Sequence, residues 1–282
     1  MKTPADVAAA GQLACLLEVS APKPGNVSPE RHFHDTRYED FLASAVAIGP
    51  ALSEAGQHPL GVTIRKAIED TRRWTRSNTN LGIVLLLAPL ARAALLPEGS
   101  LRQRLARVLR DTTVDDATQV YAAIRHAHPG GLGQAPTEDV AGAPSVTLRE
   151  AMALAADRDS VAREYVTDFA LTFEVGVPAL RAARSEGLVW TDAAVDPYLK
   201  LLDSTADTHI ARKLGRIEAE SVSRRAREVL KAGGTRSKEG LRTLAELDAD
   251  LRDPKNRRNP GTTADLTCAA IFVVILEGGW DR

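Results

Sequence analysis

Two cysteines in 282 residues, Cys15 and Cys268, stand far apart and outside any metal-ligand spacing, so neither a disulfide framework nor a zinc site is expected. Charge of one sign is also missing. The 36 basic residues face 37 acidic ones and leave a net charge of −1, which argues against a nucleic-acid binder or a membrane-surface protein. Strict apolar–polar alternation is nowhere sustained, so no sheet is expected. The most apolar stretch, 82–90, is too short at about 1.5 Å per residue to cross a bilayer. Asp6 and Gln12 interrupt the Ala-rich start, which lacks the layout of a secretory signal. A cytoplasmic protein is expected.

What the chain does hold is helical spacing almost throughout, with 44% hydrophobic residues to build a core. The expected fold is all-α, one multi-helix bundle domain over 1–282 with two buried apolar helices at its centre. A first helix over 5–19 is stopped by the proline-rich segment 20–29. Phe41, Ala45, Ile48 and Leu52 mark a second, kinked at Pro50. Ser100, Thr112 or Thr113, and the Thr147–Glu150 pair read as helix starts. Segment 128–144, rich in glycine and proline, reads as a long ordered loop or a lid. Val161, Tyr165, Phe169 and Phe173 share one face of a helix opened by Ser160, and a long helix runs from the polar break 203–209 to about Lys231. The two buried helices follow Asn78-Thr79-Asn80 and Asn259-Pro260-Gly261-Thr262.

Polar sets at the mouths of buried helices satisfy orphan N–H groups, and such ends also favour anions. Lys23 lies in a rigid proline-flanked loop, Asp115 and Asp116 at a helix start, Asp203 and Asp207 in a polar break, and Asp265 just inside the last helix. Each has an ordinary role as a cap, a dipole partner or a solvated lysine. Together they fit a phosphorylated ligand, with several carboxylates available for Mg²⁺. His32 and His34 lack a second ligand cluster, and His209 beside Asp207 can serve as a proton carrier.

Glu18 with Pro22-Lys23-Pro24-Gly25-Asn26-Val27, then His34-Asp35, Asn78-Thr79-Asn80-Leu81-Gly82, Gly130-Gly131-Leu132-Gly133, Asp207-Thr208 and Asn259-Pro260-Gly261-Thr262-Thr263-Ala264-Asp265-Leu266 occur in one order. In this the chain resembles the triphosphoribosyl-dephospho-CoA synthase family over nearly its whole length. Asn80-Leu81 stand where the family pattern has His-Lys, as in a divergent branch.

The resemblance implies an all-helical transferase that moves the triphosphoribosyl group of ATP to 3′-dephospho-CoA and releases adenine. ATP is then a substrate, Mg²⁺ held by Asp115 and Asp116 a cofactor, and the partners are small nucleotides, with a homo-oligomer open. It implies Asp207 or Asp116 as base and Asp265 as charge stabiliser near ribose C1′. Lys23, Gly25, Asn26, Asn78, Thr79, Asn80, Arg212, Lys213, Gly261 and Thr262 are the implied substrate-binding set. The altered pair leaves open a related nucleotide-ribosyl transferase or hydrolase in another cofactor pathway, such as that of a pterin-type one-carbon carrier, or a non-catalytic nucleotide-binding protein.

Overall fold

The structure, a computed structural model, describes residues 2–131 and 133–280. Leu132 of the Gly130–Gly133 motif lies outside the described residues. Helices account for the fold, and among the described residues the only ladder-type pairing is an isolated bridge between Ser28 and Arg31. No described helix is long and apolar enough to cross a membrane. Helix α1 (Pro4–Ser20) contributes to both of two compact units, Met1–Cys15 with Glu39–Phe169, and Leu16–Tyr38 with Ala170–Arg282.

The first unit holds α2 (Tyr38–Ala47), α3 (Gly49–Ser53), α4 (Leu60–Arg72), α5 (Leu81–Leu95), α6 (Leu101–Arg110), α7 (Val114–Ala127), α8 (Leu148–Ala155) and α9 (Ser160–Thr167). Its core is α5, whose residues from Ile83 to Ala91 are all buried, so the apolar run needs no polar face. Around it, α4 packs against both α5 and α7. Gly61 allows the α4–α7 approach: a Cβ there would lie 2.5 Å from the Asp116 carbonyl oxygen. Ser100, Thr113 and Thr147 each form a capping box, the last with Glu150 as the sequence predicts.

The second unit holds α10 (Val177–Ser185), α11 (Trp190–Ala193), α12 (Val195–Ser204), α13 (Thr208–Leu214), α14 (Arg216–Lys231), α15 (Lys238–Leu251) and α16 (Gly261–Leu276). Its central helix is α16, buried from Leu266 to Leu276. A neighbouring core joins Tyr198, Leu199 and Leu202 of α12 to Ile210 of α13, Val222 and Val229 of α14, and Leu247 and Leu251 of α15. Thus each unit is built around one of the two buried helices.

Three expected helices differ in detail. Pro50 does not kink one helix; it sits in the first turn of α3, where its missing N–H costs nothing. The face of Tyr165, Phe169 and Phe173 is broken because Asp168 and Phe169 both take positive φ, after which the chain forms a π-helix over Leu171–Gly176. Gly215, with φ 91°, divides the long helix into α13 and α14.

Candidate active site

The proline-rich loop of the second unit is held from within. Side chains of Lys23 and Glu18 pair at 3.0 Å and are both buried. Lys23 Nζ also donates to the Glu18 carbonyl and, at 3.3 Å, to the Ala21 carbonyl. An ammonium has three N–H donors, and these three acceptors use them all. Gly25 takes φ +74°, its N–H donates to Asp248 Oδ1 at 2.8 Å, and a Cβ on it would lie 2.8 Å from Leu251 Cβ. Asn26 Nδ2 donates to the Tyr198 hydroxyl at 2.9 Å, and that hydroxyl donates to the Pro24 carbonyl at 2.6 Å. Burial pushes the Tyr198 phenol well above its usual range, helped by Asp207 and Asp248, so it stays a neutral donor. Arg252 completes the clamp, binding the Asn26 carbonyl and Asp248.

Asp207 is the N-cap of α13 and is buried. Its Oδ1 accepts from the N–H groups of His209 and Ile210, at 2.9 and 3.0 Å. Its Oδ2 accepts from Thr263 N–H and Thr263 Oγ1–H, both at 2.7 Å. One carboxylate therefore caps its own helix and the first turn of α16. Burial raises the Asp207 carboxyl above the usual carboxylate range, and the hydrogen bonds from Thr263 and Ile210 together with Arg212 offset only part of that rise. Beside it Thr208 Oγ1 donates to Thr262 Oγ1 at 3.1 Å, and next in line the His209 ring lies against Gly261, where a Cβ would sit 3.4 Å from His209 Cγ. Segments 207–209 and 261–263 thus run side by side in antiparallel register.

Positive charge gathers on the next turn of α13. Arg212 Nη2 lies 3.3 Å from His209 Nδ1, and Lys213 Nζ donates to the Asn256 carbonyl at 3.3 Å. Burial lowers the half-buried Lys213 ammonium, Arg212 adds to that, and Asp253, Asp35 and Asp207 oppose it. Burial of Asp253 raises its carboxyl, but backbone N–H groups of Lys255, Arg258 and Arg257 more than compensate and hold it below the usual carboxylate range. Asp265 is half-buried one turn beyond Gly261 on α16.

The first unit carries the remaining candidates. Asn78 is exposed and its Oδ1 accepts from Leu81 N–H at 3.1 Å, so it supplies the cap to α5. Thr79 and Asn80 are buried; Thr79 shares a hydrogen bond with Ser44, and Asn80 Nδ2 donates to Thr71 Oγ1 at 3.0 Å. Asp116 is buried, with Oδ1 accepting from Gly61 N–H at 2.7 Å and Oδ2 from Thr113 N–H and Oγ1–H at 2.9 and 3.0 Å.

These contacts do not fit a magnesium site at Asp115 and Asp116. Asp115 is exposed, Asp116 is committed to the cap and to Gly61, and among the described residues no group of three His, Cys, Asp or Glu is placed to hold a metal. The structure thus brings Lys23, Gly25, Asn26, Arg212, Lys213, Asp207, Gly261, Thr262 and Asp265 into the second unit, and Asn78, Thr79, Asn80, Asp115 and Asp116 into the first. Sequence reasoning missed Tyr198, Asp248 and Arg252. Tyr198 lies on an apolar stripe with Leu201 and Leu202, which marks a core residue and carries no sign of its hydroxyl's partners. The spacing of Asp248 and Arg252, acid four residues before base on a helix, was the available signal for the other two.

The family model for ATP:dephospho-CoA triphosphoribosyl transferase (CitG) matches residues 4–282. The chain belongs to this family. A protein of Pseudomonas fluorescens Pf0-1 named a probable 2-(5''-triphosphoribosyl)-3'-dephosphocoenzyme-A synthase is 28% identical over 260 residues, 83% of this chain and 78% of that protein. A relative of the same name from P. fluorescens Pf-5 is 32% identical over 111 residues, and that match spans only 38% of the relative's length. The crystal structure of an Archaeoglobus fulgidus protein assigned as a triphosphoribosyl-dephospho-CoA synthase superposes with a TM-score of 0.67 at 30% identity, covering 84% of this chain and 99% of the archaeal one. The family's all-helical architecture is therefore the architecture of this chain.

Proposed function

We propose that the protein transfers the triphosphoribosyl group of ATP to 3′-dephospho-CoA or a closely related acceptor, with adenine as the leaving group. The observation that carries this reading is the family match, which runs through both units from residue 4 to 282 and supports their working as one functional domain. In the reaction an acceptor hydroxyl oxygen bonds to ribose C1′ while the C1′–N9 bond breaks. The hydroxyl proton is lost and adenine leaves with the bond electrons and a proton. Positive charge builds on the ribose in between, so a carboxylate near C1′ lowers the barrier and cations hold the triphosphate.

Arg212 and Lys213 are the proposed phosphate-holding groups. They stand on one turn of α13, which packs against α16, where Asp265 supplies the carboxylate. Lys23, Gly25 and Asn26 take a framework role in this reading, because the loop's polar groups are engaged within the unit. Gly261 lies against the His209 ring, and Asn78, Thr79 and Asn80 remain a substrate-binding candidate of the first unit.

A changed acceptor is the second reading. Its support is Asn80, an amide tied into the Thr71 network at a position where the family pattern has His. Adenine release from ATP by the purified protein, with and without 3′-dephospho-CoA, tests both. Acceptor-dependent release supports the first reading. Release that needs another acceptor, or none, selects the related transferase or hydrolase, and ATP binding without release selects a binding protein.

A further inference from the structure

Two lysines of the second unit are held in opposite ways. Lys23 Nζ spends all three of its donors inside the protein, on Glu18 and the Ala21 carbonyl. Lys213 is half-buried, yet among the described residues its Nζ makes one hydrogen bond, to the Asn256 carbonyl at 3.3 Å. An ammonium oriented by one acceptor keeps two N–H groups for a ligand. Whatever fixes that acceptor therefore fixes the cation.

The Asn256 carbonyl belongs to a loop built around Asp253, just past the end of α15. Asp253 Oδ1 accepts from Lys255 N–H at 2.9 Å, and Oδ2 from the N–H groups of Arg257 and Arg258 at 2.7 and 3.0 Å. Asn256 N–H donates to the Asp253 carbonyl at 3.0 Å. The backbone N–H groups of 255–258 thus converge on one residue. Asn256 takes φ 50°, which Asn tolerates far better than a β-branched residue does, and its side chain meets His34 Nδ1 at 3.0 Å. At the far end of the loop, Arg258 Nε donates to Glu218 of α14 at 2.8 Å and Nη1 to the Asp250 carbonyl of α15 at 2.7 Å. The loop is anchored to two helices, and its carbonyl cannot leave Lys213 without breaking these bonds.

We infer that Asp253 is a positioning residue for phosphate binding. By folding 255–258 around its carboxylate and carbonyl, it sets the Asn256 carbonyl against one donor of Lys213 Nζ and leaves the other two for oxygens of a nucleotide phosphate. Both carboxylate oxygens are occupied by backbone N–H groups, so Asp253 acts through the loop rather than on the ligand. The phosphate assignment rests on the function proposed above; the loop geometry does not.

Calorimetric titration of the full chain with ATP tests this, with thermal unfolding used to keep every variant in its folded range. Asp253→Asn turns an amide donor toward backbone donors and is expected to weaken ATP binding about tenfold, as is Lys213→Met. The double variant is expected to bind no more weakly than the worse single one, because both changes remove the same oriented ammonium. A second pair of variants leaves Asp253 in place. Valine resists positive φ and glycine accepts it, so Asn256→Val is expected to lose several-fold more affinity than Asn256→Gly. Equal losses in that pair, additive losses in the double variant, or full affinity in Asp253→Asn beside a weakened Lys213→Met overturn the positioning role and leave Lys213 as a phosphate-holding group. Full affinity in Lys213→Met, or a parent that binds no ATP, overturns that reading and the inference with it.

Discussion

Oδ2 of Asp207 accepts both the backbone N–H and the hydroxyl of Thr263 at 2.7 Å, and so ties the start of α13 to the start of α16. An amide in its place turns one accepting atom into a donor that faces donors. Asp207→Asn is expected to cost about 2–3 kcal/mol, seen in thermal unfolding as a fall in Tm of some 2–4 °C for each kcal/mol. An unchanged Tm with abolished turnover would instead make Asp207 the reacting base.

Lys23 and Glu18 form a buried pair, so removing one partner strands the other. Lys23→Met is expected to lower stability by about 3–5 kcal/mol in urea unfolding. Adding Glu18→Gln should recover part of that loss, because no bare carboxylate remains. If Lys23→Met unfolds at the parent's midpoint and loses ATP affinity, the lysine is a phosphate ligand.

Asp116 completes the capping box of α7 by accepting from Thr113 N–H, and it satisfies the buried N–H of Gly61. Asp116→Ala should destabilise the protein by about 2 kcal/mol and leave the magnesium dependence of adenine release where it was. A shifted magnesium dependence would restore Asp116 as a metal ligand.

Acid stability should carry the mark of His209. The unfolded ring titrates near 6.5, the folded one at about 3. Between those values the unfolded chain binds a proton that the folded chain refuses, so stability rises with pH across the window and is lost as pH falls through it. The slope reaches about 1.4 kcal/mol per pH unit, and the difference between parent and His209→Gln isolates it. Parallel curves from pH 6.5 to 4 would show that the folded ring takes up a proton normally.

The helical fold was legible in the sequence because spacing and caps are local: Ser100, Thr113 and Thr147 announce their helices within three residues. Legibility failed where the cause lies elsewhere in the chain. Nothing near Lys23 marks it as buried, since its carbonyl and carboxylate partners are recruited by the turn the prolines make. A lysine in a polar loop and a lysine inside a turn look alike in sequence. Likewise an Asp before a helix reads as a cap, but that Asp207 caps a second helix 56 residues away depends on tertiary packing. The composition of the site could be read from motifs; the division of its residues into framework and reactive groups could not.

The antiparallel register between 207–209 and 261–263 sets a rule for how this chain can change length. Thr263 donates to Asp207, Thr208 donates to Thr262, and the His209 ring lies against Gly261. Inserting or deleting a single residue inside either segment slips all three pairings at once and breaks the Asp207–Thr263 and Thr208–Thr262 hydrogen bonds. Substitutions there can be absorbed one at a time, but frame changes cannot. Insertions in descendants of this sequence, natural or designed, will therefore accumulate outside these two triplets, which act as a fixed ruler between α13 and α16.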